Sequence, residues 1–113
     1  MADFEQGDII RVPFPYTDKA TRQRRPALVV SSGPAGEDGA LLWAVMITSS
    51  DNRPWTGDIA IRNYEDCGLP APSVVRPFKI ATIEARHADR IGKITRPILR
   101  MVMEQTQKIL GIK

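Results

Sequence analysis

Apolar residues fall in short runs over the first two thirds of the chain, and in a helical stripe only at its end. "GDIIRVPF" (7–14) sets Ile9, Ile10 and Val12 beside Asp8 and Arg11 and reads as a strand. "YTDKATRQRR" (16–25) has no apolar period and reads as a loop of about ten residues, longer than most hairpin loops. "PALVVSS" (26–32) is too short for a helix and β-branched, and "GPAGEDG" after it is a turn. "ALLWAVMITSS" (40–50) is the longest apolar run. A buried helix fits it, but Gly39 before it, Val45, Ile47 and Thr48 within it and polar "SSDNRP" after it favour a strand. "GDIAIRN" (57–63) alternates like a half-buried strand, and "EDCGLPAPS" (65–73) is a second long loop. "SVVRPFKIATIEA" (73–85) is a strand whose Pro77 demands an edge, a bulge or a bend, and "RIGKI" (90–94) is a short final strand. From Arg96 onward Ile98, Leu99, Val102, Met103, Ile109 and Leu110 make one helical stripe, with Thr95 as N-cap and Pro97 in the first turn.

Five to seven short strands and one closing amphipathic helix describe a mainly β domain, a small and strongly bent sheet or barrel packed against the helix. With 113 residues the chain fits one domain, 1–113, large enough for a core without staples. Phe14, Tyr16, Trp43 and Trp55 are more aromatic residues than such a core absorbs, so an open face or a dimer interface is expected to take some of them.

Composition narrows the classes. No apolar run approaches a bilayer span and "MADFEQGDII" has no signal-peptide pattern, so a cytoplasmic protein with no membrane association is expected. The one cysteine, Cys67, excludes an internal disulfide or a cysteine-cluster metal site and reads as a loop thiol. The net charge of +3 is uneven: residues 1–30 carry +1, 31–75 carry −4 and 76–113 carry +6. Eleven of the sixteen cations are arginine, whose planar fork suits phosphate and carboxylate; a compositional bias toward arginine gives the same count.

His87 is the only histidine, so a histidine pair and an HExxH zinc site are unavailable, and there is neither a P-loop nor a GxGxxG. In "ARHADR" it reads as a solvated connection. What remains is arginine beside short hydroxyl residues. Arg25 heads one strand, and Thr48, Ser49 and Ser50 end the next apolar run. If the two runs pair as an antiparallel hairpin, residues 25 and 48 converge, and a guanidinium with a hydroxyl is a cradle for a phosphate. The residues alone equally allow Arg25 to end a strand in water and Thr48 to begin a turn.

"GDIIRVPFPYTD", "RRPALVVSS", "VMITSS", "SVVRPFKIATIE" and "RIGKI" before a terminal helix, in that order, resemble the MazF/PemK toxins over nearly the whole chain. The resemblance implies an SH3-like, CcdB-type barrel that forms homodimers. It also implies an endoribonuclease, needing no metal or other cofactor, that cuts single-stranded RNA at short sequences and is neutralised by a cognate acidic antitoxin. In that family the arginine of "RP" and the threonine of "ITS" form the central catalytic pair, which map onto Arg25 and Thr48. The nucleophile is the substrate's own 2'-hydroxyl. Candidate RNA contacts are Arg11, Phe14, Arg22, Arg24, Ser49, Arg76 and Phe78.

One position departs from the family pattern. Some relatives place an acid two residues after the arginine of the strand matching "SVVRPF", as the acceptor of the 2'-hydroxyl proton; here Phe78 stands there, and the acceptor is unassigned. Phe78 reads either as a base-stacking ring or as core. The resemblance also implies that the antitoxin's acidic tail lies in a groove at the dimer interface, drawn by Arg11, Arg22, Arg24 and Arg86 or Arg90. Two other classes stay open: a CcdB-like toxin that inhibits DNA gyrase without cutting RNA, and an inactive SH3-like binding module.

Overall fold

The computed structural model describes residues 4–13 and 24–112. Residues 14–23, which include Phe14, Tyr16, Arg22 and most of the loop expected over 16–25, lie outside the described residues. Six strands are present: β1 (Asp8–Pro13), β2 (Arg24–Val29), β3 (Leu41–Ser49), β4 (Ile59–Ile61), β5 (Ser73–Glu84) and β6 (Asp89–Lys93), followed by the helix α1 (Arg96–Leu110). They form one antiparallel sheet in the order β4-β5-β3-β2-β1-β6. The sheet curls into a half-barrel with β4 and β6 as its edges. No helix among the described residues is long and apolar enough to cross a membrane.

β3 is the central strand and is apolar on both faces, because both faces are covered. Val45 and Ile47 join Ile9, Leu28 and Val75 in the cluster that α1 closes with Val102, while Ile98, Leu99 and Met103 pack around it. Leu42, Ala44 and Met46 point the other way, into a second cluster with Ile10, Val12, Ala27, Val29, Ala81 and Ile83 on the face away from α1. This double burial explains why "ALLWAVMITSS" does not alternate in sequence and still forms a strand.

Two irregularities shape the sheet. Val45 pairs with Ile80, but Met46 pairs with Arg76, so Pro77, Phe78 and Lys79 bulge out of the β3–β5 ladder. Proline has no N–H to give a ladder, which is why the break falls there. The second lies between β1 and β6, where Ile9 pairs with Gly92 and Ile10 with Arg90. Onto this second bulge docks the turn of residues 64–69, closed by hydrogen bonds from Cys67 N and Leu69 N to Tyr64 O and from Gly68 N to Glu65 O. The approach is backbone to backbone. A Cβ on Gly92 would stand 1.9 Å from Cys67 O, and one on Gly68, at φ +83°, 2.1 Å from Ile91 O.

Three expectations shift at element ends. β2 begins at Arg24 rather than at Pro26, because the β1 ladder extends through Val12 with Arg25 and Pro13 with Arg24. Thr95 precedes α1 as its N-cap without a side-chain capping bond, its carbonyl accepting from Leu99 N; Gly111 ends the helix in the left-handed conformation. The apolar stripe is buried only in the helix's first half. Ile109 and Leu110 are exposed, and Leu110 lines a shallow hollow with Trp43, Ile80 and Thr82.

Gly92→Ala is expected to destabilise the protein by about 2 kcal/mol or more, since backbone rather than a flexible side chain must move. A lowered urea midpoint measures it, and a change within about 0.5 kcal/mol would refute the contact.

Candidate active site

β2 and β3 pair Ala27 with Met46, Leu28 with Val45 and Val29 with Ala44. Continued two residues past Ala27 and Met46, that register sets Arg25 across from Thr48. Each lies two residues from a member of the second cluster, Ala27 and Met46, so both occupy the face of the sheet away from α1. On the other side of β3, Thr48 pairs with Val74 and Met46 with Arg76. Arg25, Thr48 and Arg76 therefore belong to one face of three adjacent strands.

Thr48 is 7% exposed, and its Oγ1 accepts a hydrogen bond from Asn52 Nδ2 at 2.5 Å. The loop after β3 is thereby tied to the last hydroxyl on this face of the strand. Ser49, one residue on, belongs to the opposite face and pairs with Ser73; its Oγ accepts from Asp51 N at 3.2 Å. It is not brought beside Thr48.

Arg76 is 6% exposed and forked onto Asp58: Nε reaches Oδ1 at 3.0 Å and Nη2 reaches Oδ2 at 2.9 Å. Nη2 also donates to Arg53 O at 2.9 Å, and the guanidinium lies 4.5 Å from the centre of the Trp55 ring. Asp58 further accepts from Trp55 N at 2.9 Å while its own N–H donates to Trp55 O at 3.2 Å, closing the turn 55–58. Burial alone raises the Asp58 carboxyl, but the hydrogen bonds from Arg76 and the Trp55 N–H, with the Arg76 charge, outweigh it and hold the group below the usual carboxylate range. Arg76, expected to contact RNA, is instead held mainly by protein. Phe78, thrown out by the Pro77 bulge, is 50% exposed and lies on Gly57; it is not core.

The other candidates are spread around this centre. Arg24 points to the opposite face from Arg25 and is not a free loop cation: it pairs with Asp89 at 2.8 Å and donates to Arg11 O and His87 O. Arg11 is exposed on β1. His87 is exposed in the connection before β6, 3.9 Å from Glu84. Cys67 is buried, and burial with the nearby Asp66 charge pushes its thiol up, away from a reactive thiolate. Among the described residues no group of three or more His, Cys, Asp or Glu is placed to hold a metal ion.

Sequence reasoning missed Asn52 and Asp58 as parts of this centre; Trp55, expected on an open face or at an interface, is exposed beside Arg76. A polar run with a tryptophan directly after "ITSS" was the available signal; the 18-residue separation of Asp58 from Arg76 gave none.

This geometry belongs to a small toxin fold. The sequence profile of the PemK-like, MazF-like toxins of type II toxin-antitoxin systems matches residues 5–110, and the chain belongs to that family. No curated protein matches it by sequence. A chain of the MazE–MazF complex of Deinococcus radiodurans superposes with a TM-score of 0.78 at 20% identity, over 100% of both chains. An endoribonuclease from a mycobacterial species, solved with its cognate antitoxin, gives 0.76 at 19% identity, over 100% of this chain and 98% of that one. The Mycobacterium tuberculosis toxin MazF-mt6 gives 0.65 at 16% identity, over 92% and 97%.

A carboxylate held below its unfolded value adds stability that is complete above the unfolded pKa, about 3.9, and is lost as the pH falls through the folded value. Wild type is therefore expected to lose stability below about pH 4 more steeply than Asp58→Asn. Asp58→Ala, which strands a buried guanidinium, is expected to cost about 3 kcal/mol at neutral pH. Urea unfolding across pH checks both; superimposable pH profiles would refute the role of the pair.

Proposed function

We propose that this toxin is an endoribonuclease that cuts single-stranded RNA at short sequences, using the 2'-hydroxyl as nucleophile and no metal. The observation that carries the reading is the register that sets Arg25 opposite Thr48 on the face away from α1, in a chain of the PemK-like, MazF-like family. The mycobacterial neighbour described as an endoribonuclease supports it at the level of the family.

In the reaction the 2'-oxygen forms a bond to the adjacent phosphorus and the bond from phosphorus to the 5'-oxygen breaks. A cyclic phosphate remains on one product and a 5'-hydroxyl on the other. The proton lost by the 2'-hydroxyl is balanced by the one gained at the 5'-oxygen. Arg25 supplies a fixed positive charge to the crowded, doubly charged phosphorane; as an always protonated group it stabilises charge rather than removing the proton. Thr48, oriented by Asn52, holds a phosphate oxygen and fixes the in-line geometry. With Phe78 at the position of the acid in some relatives, the proton leaves by another route, with solvent as the acceptor.

The same reading extends to partners. A cognate antitoxin is expected, as in the complexes of the Deinococcus and mycobacterial neighbours, and the arginines here suit an acidic one. Its tail would compete with RNA for the arginines that border the shallow hollow of Pro13, Arg24, Arg86 and His87. A homodimer is expected to cover the apolar patch of Trp43, Ile80 and Leu110, and the site of action is the cytoplasm, where RNA is the substrate.

Purified protein is expected to cut mixed RNA in EDTA, with Arg25→Ala slowing cleavage about 100- to 1000-fold and Thr48→Ala also slowing it. Uncut RNA, or cleavage unchanged in both variants, would refute the assignment. Trp43→Glu is expected to turn a dimer into a monomer in sedimentation, and an unchanged mass would refute the patch as the interface.

A further inference from the structure

We infer that the cleft between Trp55 and Phe78 is a nucleobase-stacking subsite of the RNA groove, an inference that rests on the ribonuclease reading above. Two large rings on neighbouring segments are left in solvent, Trp55 42% and Phe78 50% exposed, with Thr56 between them as the floor of a shallow hollow. Neither ring serves the core, so folding leaves this apolar surface uncovered.

Both rings are nevertheless held in place. The Arg76 guanidinium covers one face of Trp55, the backbone N–H of Trp55 donates to the Asp58 carboxylate, and Asp58 is itself locked to Arg76. Phe78 rests on Gly57, whose φ of +90° and missing Cβ allow the contact; a methyl there would stand 3.0 Å from Phe78 Cε2. A pair of rings fixed before any ligand arrives loses little freedom on stacking.

Charge and continuity select the ligand. The Lys79 ammonium is 5.9 Å from the Trp55 ring centre, while the Arg76 charge is matched by Asp58, so Lys79 supplies the positive charge that suits a base attached to a phosphate backbone better than an apolar peptide segment. The loop bearing Trp55 begins where β3 ends, and Asn52, three residues before Trp55, holds the Thr48 hydroxyl. A strand seated on Thr48 therefore continues over the loop that carries the platform. Because every base has a π-face, the cleft contributes affinity and position first, and discriminates only by the strength of stacking.

The test uses the full chain and a fluorescent RNA oligonucleotide spanning the cleavage site mapped on mixed RNA, made uncleavable by 2'-O-methyl groups, with a companion set carrying one abasic position each. Anisotropy is expected to show wild type losing about 10-fold in affinity at one abasic position near the scissile phosphate. Trp55→Ala and Phe78→Ala are each expected to weaken the intact oligonucleotide about 10-fold and to bind that abasic oligonucleotide as wild type does. Phe78→Tyr retains wild-type affinity, and urea unfolding confirms that each variant is folded. Affinity for the intact RNA within twofold of wild type in both alanine variants, or penalties that add to the abasic loss, overturns the subsite while cleavage by wild type leaves the ribonuclease reading standing. A wild-type protein that neither cuts nor binds RNA overturns both.

Discussion

The antiparallel register of β3 against its two neighbours is the constraint on which the rest of the molecule depends. It pairs with β2 through Ala27 and Met46 and with β5 through Ile47 and Val75, and both of its faces are buried. A slip of one residue would turn Thr48 toward the helix and send Val45 and Ile47 to the face away from it, emptying one apolar cluster and overfilling the other. The packing of two cores thus fixes which hydroxyl faces the same way as Arg25. The bulge at Pro77 completes the arrangement by absorbing three residues, so that Arg76 falls beside Met46 and Phe78 is pushed into solvent.

Charge is handled differently at each arginine, and burial decides how. Arg76 is desolvated, and its fork is matched by a carboxylate, a carbonyl and an aromatic face, which makes it a fastener between β5 and the loop after β3. Arg24 is exposed at the start of β2 on the opposite face, where its bridge to Asp89 is solvated and contributes little to stability, though its two bonds to backbone carbonyls join β1 to the connection before β6. Arg25 stands between them, half-buried on the face away from α1. Neighbours in sequence, Arg24 and Arg25 have opposite surroundings because a strand alternates its sides.

Much of this was legible in the chain. Each strand run was found within a few residues, and Pro77 announced an irregularity that the structure resolves as a bulge. The opposition of positions 25 and 48 followed from the assumption of a hairpin, since period-two alternation and a shared turn leave few registers. What stayed hidden depended on contacts between distant residues or on irregular backbone. Asp58 and Arg76 are joined by the pairing of β4 with β5, which no local pattern encodes, and the turn that presents Trp55 is held by that ion pair. The exposed end of α1 was hidden for a different reason: a periodic stripe shows which side of a helix is apolar, not how far along it the sheet extends.

The contact between Gly68 and Gly92 bears on how such a chain can diverge. The fold persists in a relative that shares 20% of its residues, so most positions are replaceable as long as their apolar or polar character is kept. At these two positions character is no substitute for identity, because the space is already occupied by the carbonyls of Ile91 and Cys67. Drift there is confined to glycine unless the turn and the strand move together, so a lineage that lost either glycine would have to rebuild the docking of that turn in the same step.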